Sequence, residues 1–405
     1  MQIVAAIDIQ KKRGRMERQS TSDRTGSIDK IANSSASLGS LSSALKTLKD
    51  NSVSMVLERI PFNSSYWICA AKIGFEAFGV IDVSSAALVK SHAVIATAGE
   101  AIETLSQYIR DSDCTDSPKA EANIAEAPEG SWLASEIEDH STGWVEGTAL
   151  GTGRAVSLPA HCILRGLRNA APGRPPLSVG CAAGLTVSSA RLSALLELIE
   201  RDAVAKWWRS GQPARLLHHR AVGRAGGKPR IEVALDIGRD TFVPVVAVLS
   251  TGLKREGFVF ASAARPTLEG ASTAAARELA QMELGDAVLR SRARTGPEDQ
   301  DWAARASIRF DESLIGYAAA TVPGSLDLEP KTGEGQLEEL ATRLCEAKVQ
   351  VYLTDLTRAE YRTPVVKAMS PQLLPSENIG MTKQLRDHVD RWGTPPNARL
   401  EISLF

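Results

Sequence analysis

The chain has 405 residues, of which 43% are hydrophobic and 23% charged, and a formal net charge of −1. That length holds one large core or two to three smaller ones, and the composition is that of an ordinary globular protein. Near-neutrality excludes a global field that would draw nucleic acid or an anionic membrane, so neither is expected as a partner.

No apolar run approaches the roughly 20 residues of a membrane span. The five cysteines, Cys69, Cys114, Cys162, Cys181 and Cys345, stand far apart with no C-x-x-C pair, which argues against a disulfide framework and a zinc site. A short apolar start ahead of a basic run reverses the order of a secretory signal. The expectation is a cytoplasmic protein.

In chain order, residues Gln10–Asp29 are polar and basic and the sequence is Ser/Ala-rich to about Ser43, which predicts a flexible lead-in. Ser52–Leu57 and Tyr66–Ile73 have strand patterns, broken by Pro61 and Asn63-Ser64-Ser65, and Phe78–Val83 is a third short strand. Ala86–Ile109 keeps an i, i+3/i+4 apolar rhythm and predicts a helix. The Asp-, Glu-, Pro- and Ser-rich stretch Asp111–Gly130 ends it and predicts a mobile loop. Trp144–Leu158 reads as a hairpin around Gly147, Gly151 and Gly153.

A Gly/Ala-rich turn and a long helix then follow in SVGCAAGLTVSSARLSALLELIERDA, Ser178–Ala203. Pro229–Leu235, Phe242–Leu249 and Gly257–Ala263 are strands. Thr267–Arg292 is an Ala-rich helix with Thr267 or Ser272 as N-cap. Gln350–Asp355 and Pro364–Met369 complete the strands. Helices and strands alternate without a clean repeat, giving an α/β (α+β) class with mixed sheets.

Three of these helices carry oxygen-bearing side chains three residues apart: Glu100 and Glu103, Glu197 and Glu200, Glu278 and Gln281. That spacing puts each pair on one helix face. Any single pair is unremarkable, because glutamate suits solvated helix faces, and Glu197 with Arg201 is also an i, i+4 ion pair worth roughly 0.2–0.5 kcal/mol. Paired carboxylates above a glycine turn nevertheless suit Mg²⁺ carrying a polyphosphate, since Mg²⁺ takes oxygen ligands and usually only one or two protein carboxylates.

The order of the motifs gives the stretch its meaning. Ser178–Ala203 resembles the second ATP/Mg²⁺ motif of the YcaO family, S-N-G-x-A-x-G-N-T followed by A-L-x-E-x-x-E-R-D-A. GEAIE around Glu100 and Glu103 resembles the family's G-E-A-x-E-R, with Thr104 in place of the arginine, and E-L-A-Q resembles its third element. GRAVSLPA and Trp207-Trp208 are also similar to family segments. Val179 and Leu185 stand where the family has asparagines, and a P-x-P-x-P tail is replaced by ARLEISLF.

The resemblance implies a YcaO-type fold with three motif-bearing helices around one ATP site, residues 1–65 being a divergent N-terminal segment and 66–405 the catalytic domain. It implies ATP and Mg²⁺ as cofactors. Glu100, Glu103, Glu197, Glu200 and Glu278 would be metal ligands, and Ser178, Gly180, Gly184, Ser193 and Gln281 would join them around the nucleotide.

The implied activity is cyclodehydration. A Cys, Ser or Thr of a ribosomally made precursor peptide attacks the preceding carbonyl, ATP phosphorylates the oxyanion, and loss of phosphate leaves a thiazoline or oxazoline. Implied partners are the precursor peptide, an E1-like or winged-helix protein that clamps its leader, and a flavin-dependent dehydrogenase. Thioamide or amidine formation, or a degenerate non-catalytic subunit, are the alternatives.

Other residues carry less. GTALGTGR lacks the helix and acidic partner of a dinucleotide loop, and Pro159 breaks it. His92, His218 and His219 read as surface residues, and Cys181 as a small residue at a tight turn. Arg209, Arg290 and Arg358 are candidate phosphate contacts, among which the sequence does not select.

Overall fold

The computed structural model describes residues 54–60, 63–75, 79–110, 112–118, 123–138, 143–167, 178–224, 228–293, 317–318, 327–328, 332–376, 380–395 and 404. The expected lead-in before Ser43 lies outside them.

Strands β1 (Ser54–Ile60), β2 (Asn63–Phe75) and β3 (Gly79–Ala87) form an antiparallel meander. Asn63–Ser65, expected as a break, belong to β2, because Ile60 pairs with Asn63 after a register shift. The boundary expected at 65/66 thus falls inside a strand. Helix α1 (Lys90–Gln107) starts later than its periodicity suggests, since Ala86 and Ala87 pair with β2 opposite Ile68 and Trp67.

A six-stranded sheet has the order β4-β6-β5-β13-β14-β7, from Asn123–Ile124, Ala155–Pro159, Trp144–Ala149, Tyr352–Asp355, Val365–Met369 and Cys181–Ala183. Its β5–β6 hairpin is the one expected. A five-stranded sheet has the order β11-β10-β9-β8-β12, from Val259–Ala264, Val245–Gly252, Arg230–Asp236, Ala214–Val222 and Tyr317–Ala318. β8, ARLLHHRAV, lacks the clean two-residue alternation that marks a strand in sequence. Short helices α2 (Trp132–Glu138) and α3 (Ala160–Ile163) flank the six-stranded sheet.

Part of the stretch expected to be mobile is pinned. Arg358 ion-pairs with Asp113 at 2.6 Å, and Thr115 and Trp144 exchange backbone hydrogen bonds of 3.0 and 2.8 Å.

Three long helices fill the gaps between the sheets. Central α4 (Val187–Trp208) packs against β14 and β7 on one side and β11 on the other, with α6 (Gly333–Glu346) also against it. This explains why most of α4 is buried, with its carboxylates turned into the space between the sheets. Trp207 stacks on Phe260 and Trp208 on Phe258, with ring centroids 6.4 Å apart in each pair. α5 (Leu268–Ala293) covers the other face of the five-stranded sheet and reaches β3. Every residue of β10 is therefore buried: Val245, Ala247 and Leu249 face the α4 core, whereas Val246 and Val248 face α5. α1 lies on the three-stranded sheet and approaches β7. The last helix, α7 (Lys383–Trp392), docks Leu385 on Ala205 and Leu374.

No helix among the described residues is long and apolar enough to cross a membrane. The whole is a mixed α+β fold.

Candidate nucleotide and metal site

The three motif-bearing helices converge. A cavity of about 770 Å³ is lined by Glu100 and Glu103 of α1, Glu197 and Glu200 of α4, and Glu278 of α5, with Ser178, Gly184 and Ser193 also on its wall.

Local rules place each element. Thr186 caps α4 by accepting from Ser189 N–H at 3.1 Å, and Ser189 Oγ accepts from Thr186 N–H at 3.0 Å. This reciprocal box satisfies donors that a helix start would otherwise leave open. Thr267, one of the two expected caps, caps α5 through Gly270 N–H at 3.1 Å, while Ser272 bonds back to Leu268 inside the helix. Gly180 has φ +79°, and a Cβ there would lie 2.4 Å from the Ala368 carbonyl oxygen. Only glycine fits a left-handed residue pressed against a strand. Gly184 meets the first turn of α4, where a Cβ would sit 2.4 Å from Ala190 N.

The carboxylates are close enough to repel one another. Burial pushes Glu278 up to about 8, with Glu200 and Glu100 adding to the effect and Arg201 and Arg265 opposing it. Burial also raises Glu100 to about 7, against hydrogen bonds from Ser85 and the Ser84 backbone; Ser85 Oγ donates to Glu100 Oε1 at 2.5 Å. Glu103 is pushed well above the usual carboxylate range by burial, then by Glu197 and Glu100. Glu197 is raised by burial and by Glu200, with Arg201 pulling it down. Glu100 keeps an exposed face and Glu197 30% of its side-chain surface; both line the cavity, so that exposed surface includes a wall shared with other carboxylates. Glu200 is held differently, accepting from Ser262 Oγ at 2.7 Å and Ala264 N–H at 3.1 Å.

Five carboxylates spread around an open cavity, no three of them with oxygens within 4.8 Å of one another, can each give one or two ligands to a hard divalent cation whose other ligands are phosphate and water, and the oxygen-only set suits Mg²⁺ better than softer metals. Arg165, Arg201 and Arg265 line the same cavity, and guanidinium forks match phosphate. The arrangement has the chemistry to hold a metal–polyphosphate.

Two residues from the expected set stand apart from the lining. Gln281 is tied to β3: its Nε2 donates to Ser84 O at 2.6 Å and Ser84 Oγ at 3.1 Å, and its Oε1 accepts from Ala86 N–H at 3.1 Å. Gly180 sits behind the wall and donates its N–H to Glu197 Oε2 at 3.2 Å.

Of the arginines singled out in sequence, Arg358 closes the end of α1 by donating to Ser106 O and Tyr108 O, at 2.9 and 3.1 Å from Nη2. Arg209 is the C-cap of α4, and the Arg290 side chain lies outside the described residues. His218 is half-buried and meets Glu232 at 2.9 Å across β8 and β9, with Arg220 on the same carboxylate.

Sequence reasoning missed Arg165, Arg265 and Lys367. Arg265, in A-A-R-P-T just before a motif helix, carried a weak signal. Lys367 carried a clearer one, as a lone charge in the apolar strand VVKAM, where an unpartnered cation would be too costly to bury. Away from the cavity, Glu136, His161 and Cys162 are the one trio among the described residues with ligand-type atoms within 4.8 Å of one another. The His161–Glu136 hydrogen bond of 2.7 Å accounts for the closest pair.

A family model described as YcaO cyclodehydratase, ATP- and Mg²⁺-binding, matches residues 88–374. Among solved structures, the fold is similar to YcaO from Methanopyrus kandleri bound with AMPPCP and Mg²⁺, at 20% identity and TM-score 0.60 over 82% of this chain and 88% of that one. It is also similar to a heterocyclase in complex with substrate and cofactor, at 17% identity and TM-score 0.63, covering 88% of this chain and 56% of that one. This chain thus spans little more than half of that heterocyclase. A third likeness is to the E. coli microcin synthetase McbBCD complex with pro-MccB17 bound, at 15% identity and TM-score 0.56 over 84% of this chain and 95% of that one. At these identities the likeness establishes the fold. No curated protein sequence matches the chain.

Proposed function

The chain belongs to the YcaO family of ATP- and Mg²⁺-dependent enzymes, and on that premise we propose that it is a cyclodehydratase acting on a ribosomally made precursor peptide. The observation that carries the reading is the convergence of Glu100, Glu103, Glu197, Glu200 and Glu278, from three separate helices, on one cavity.

In this reading the five carboxylates hold Mg²⁺, while Arg165, Arg201 and Arg265 orient phosphate. Bound Mg²⁺-ATP supplies the phosphoryl group that turns an amide oxygen into a phosphate leaving group, a reaction driven by positioning and charge neutralisation rather than by a protein nucleophile. Cys181 fits that logic: burial, and Glu103 beside it, push its thiol well up, so it stays a neutral wall residue. Ser178 and Ser193 offer hydroxyls to the nucleotide, and Gly184 lets backbone come close. The overall product is an azoline from Cys, Ser or Thr, with loss of one water per ring.

We place recognition of the peptide largely on a partner. An E1-like or winged-helix protein would clamp the leader and raise the local concentration of the core peptide, and a flavin-dependent dehydrogenase would act afterwards. The E. coli relative is a multi-protein complex with a peptide bound, which supports this part of the reading.

The test is mass spectrometry of a precursor peptide encoded near this chain's gene, incubated with the chain, ATP and Mg²⁺, with and without the neighbouring partner. Loss of water at a Cys, Ser or Thr, dependent on ATP and accelerated by the partner, is expected. Replacement of a backbone oxygen by sulfur would assign thioamidation, and water loss onto an amine would assign amidine closure. ATP turnover absent under every condition would mark a non-catalytic subunit, the reading favoured by Val179 in place of an asparagine and by Leu185, which is exposed on the cavity wall.

A further inference from the structure

Behind the cavity wall lies Lys367, on the same face of β14 as Val365 and Met369 and only 2% exposed. It is not part of the cavity lining, whereas Ser178 and Cys181 on either side of the Gly-rich turn are. Its Nζ donates to the Val179 carbonyl. The other end of that same peptide unit, Gly180 N–H, donates to Glu197 Oε2 at 3.2 Å. Ala368 N–H, next along β14, donates to Gly180 O at 2.6 Å.

A single peptide plane therefore connects a buried cation to a carboxylate on the cavity wall. A peptide whose carbonyl accepts from an ammonium group is polarised, and its N–H becomes a stronger donor. We infer that Lys367 is a positioning residue for Glu197: through the Val179–Gly180 peptide it holds the Glu197 carboxylate in the pose that faces the ligand.

Two further observations fit. Gly180 can hold this plane only because it lacks a Cβ, which would meet Ala368 O at 2.4 Å. Glu197 Oε1 is left facing Arg201 at 3.9 Å, so the two oxygens have different tasks, one anchored and one toward the cavity's cations. Burial disfavours the charge on Lys367, and the nearby carboxylates Glu197 and Glu103 favour it. The lysine thus also offsets part of the carboxylate repulsion from the side away from solvent.

The inference rests on the proposed metal–nucleotide reading of the cavity, and the experiment separates the two. Calorimetry would measure binding of AMPPCP at varied Mg²⁺ to the wild-type chain, K367M, E197Q and the double variant. K367M is expected to raise the half-saturating Mg²⁺ about tenfold, but to add less than about twofold in the E197Q background, because the lysine acts through Glu197. K367Q, a shorter side chain that retains an N–H donor without the charge, is expected to fall between wild type and K367M. It keeps the comparison readable if K367M does not fold.

Equal penalties for K367M in both backgrounds would make the lysine a packing element and overturn the inference. Hydrogen exchange supplies a readout independent of ligand. The Gly180 amide should be protected in the wild-type chain and exchange faster in E197A, which removes the acceptor; an unprotected Gly180 amide in the wild-type chain would overturn the relay whatever the variants do. If wild type binds no Mg²⁺-AMPPCP while Gly180 is protected, the reading of the cavity fails and the relay stands as structural geometry alone.

Discussion

Loading the cavity should expel protons, and the number follows from the carboxylates. Without ligand, Glu100 titrates at about 7 and Glu278 at about 8. Near pH 7 Glu278 is mostly protonated and Glu100 partly so, and together they hold about one proton or more that a metal-bound state must release. Near pH 9 both are largely ionised and the release falls toward zero. Glu103, pushed well above the usual range, adds to the release in the same direction.

The assay is calorimetry of Mg²⁺-AMPPCP binding in buffers of different ionisation enthalpy, with Mg²⁺ in excess so that the nucleotide phosphates are already deprotonated. The slope against buffer enthalpy counts the protons. E278Q, if it still binds, should cut the release by up to about one proton near pH 7. Tight binding with no buffer dependence near pH 7 would refute the reasoning, because it would mean that the carboxylates are already ionised or do not meet the metal. The sign for stability follows from the same shifts. A carboxyl whose folded value is raised binds more protons folded than unfolded, so the ligand-free chain loses stability as pH rises from the ordinary glutamate range toward about 8. Mg²⁺-nucleotide should therefore raise the melting temperature more at pH 8 than at pH 6.

The two glutamates of α4 should respond differently to the same change. E197Q is expected to abolish ATP-dependent modification with little change in melting temperature, whereas E200Q should abolish it and also cost about 1–3 kcal/mol, because an amide cannot accept from both Ser262 Oγ and Ala264 N–H as the carboxylate does; equal melting temperatures would contradict this. Gly180→Ala should destabilise the chain by about 2 kcal/mol or more, since it places a Cβ 2.4 Å from Ala368 O at φ +79°, and a denaturant midpoint unchanged from wild type would show that the turn relaxes. Gln281→Ala should cost about 1–2 kcal/mol by unpinning α5 from β3 while leaving nucleotide affinity within about twofold. A larger loss of affinity would return Gln281 to the nucleotide.

Local patterns made much of this molecule legible before its structure. The hairpin at Gly147–Gly153, the long helices carrying Glu100, Glu197 and Glu278, and the Thr267 cap all follow from short-range rules of periodicity, turns and capping. The E-x-x-E spacing by itself put each pair on one face of its helix, and the order of the three motifs pointed to one site. The alternation of helices and strands set the class.

What local rules do not contain is which faces meet. Gln281 has the same spacing from Glu278 as Glu200 has from Glu197, yet it hydrogen-bonds β3 because α5 happens to cross that strand there. Arg358 has the charge to bind phosphate, but packing sets it on Asp113 and the end of α1. β8 is not legible in sequence because a strand with a mixed pattern is held by its neighbours β9 and β12 rather than by its own alternation. Lys367 is the clearest case. The sequence shows a charge in an apolar strand; only the fold shows that its ammonium, one peptide plane and Glu197 lie in a line. That line depends on contacts between residues 179, 197 and 367, and such long-range juxtapositions are decided by the docking of β14 against β7 and α4, not by anything within a few residues of any of them.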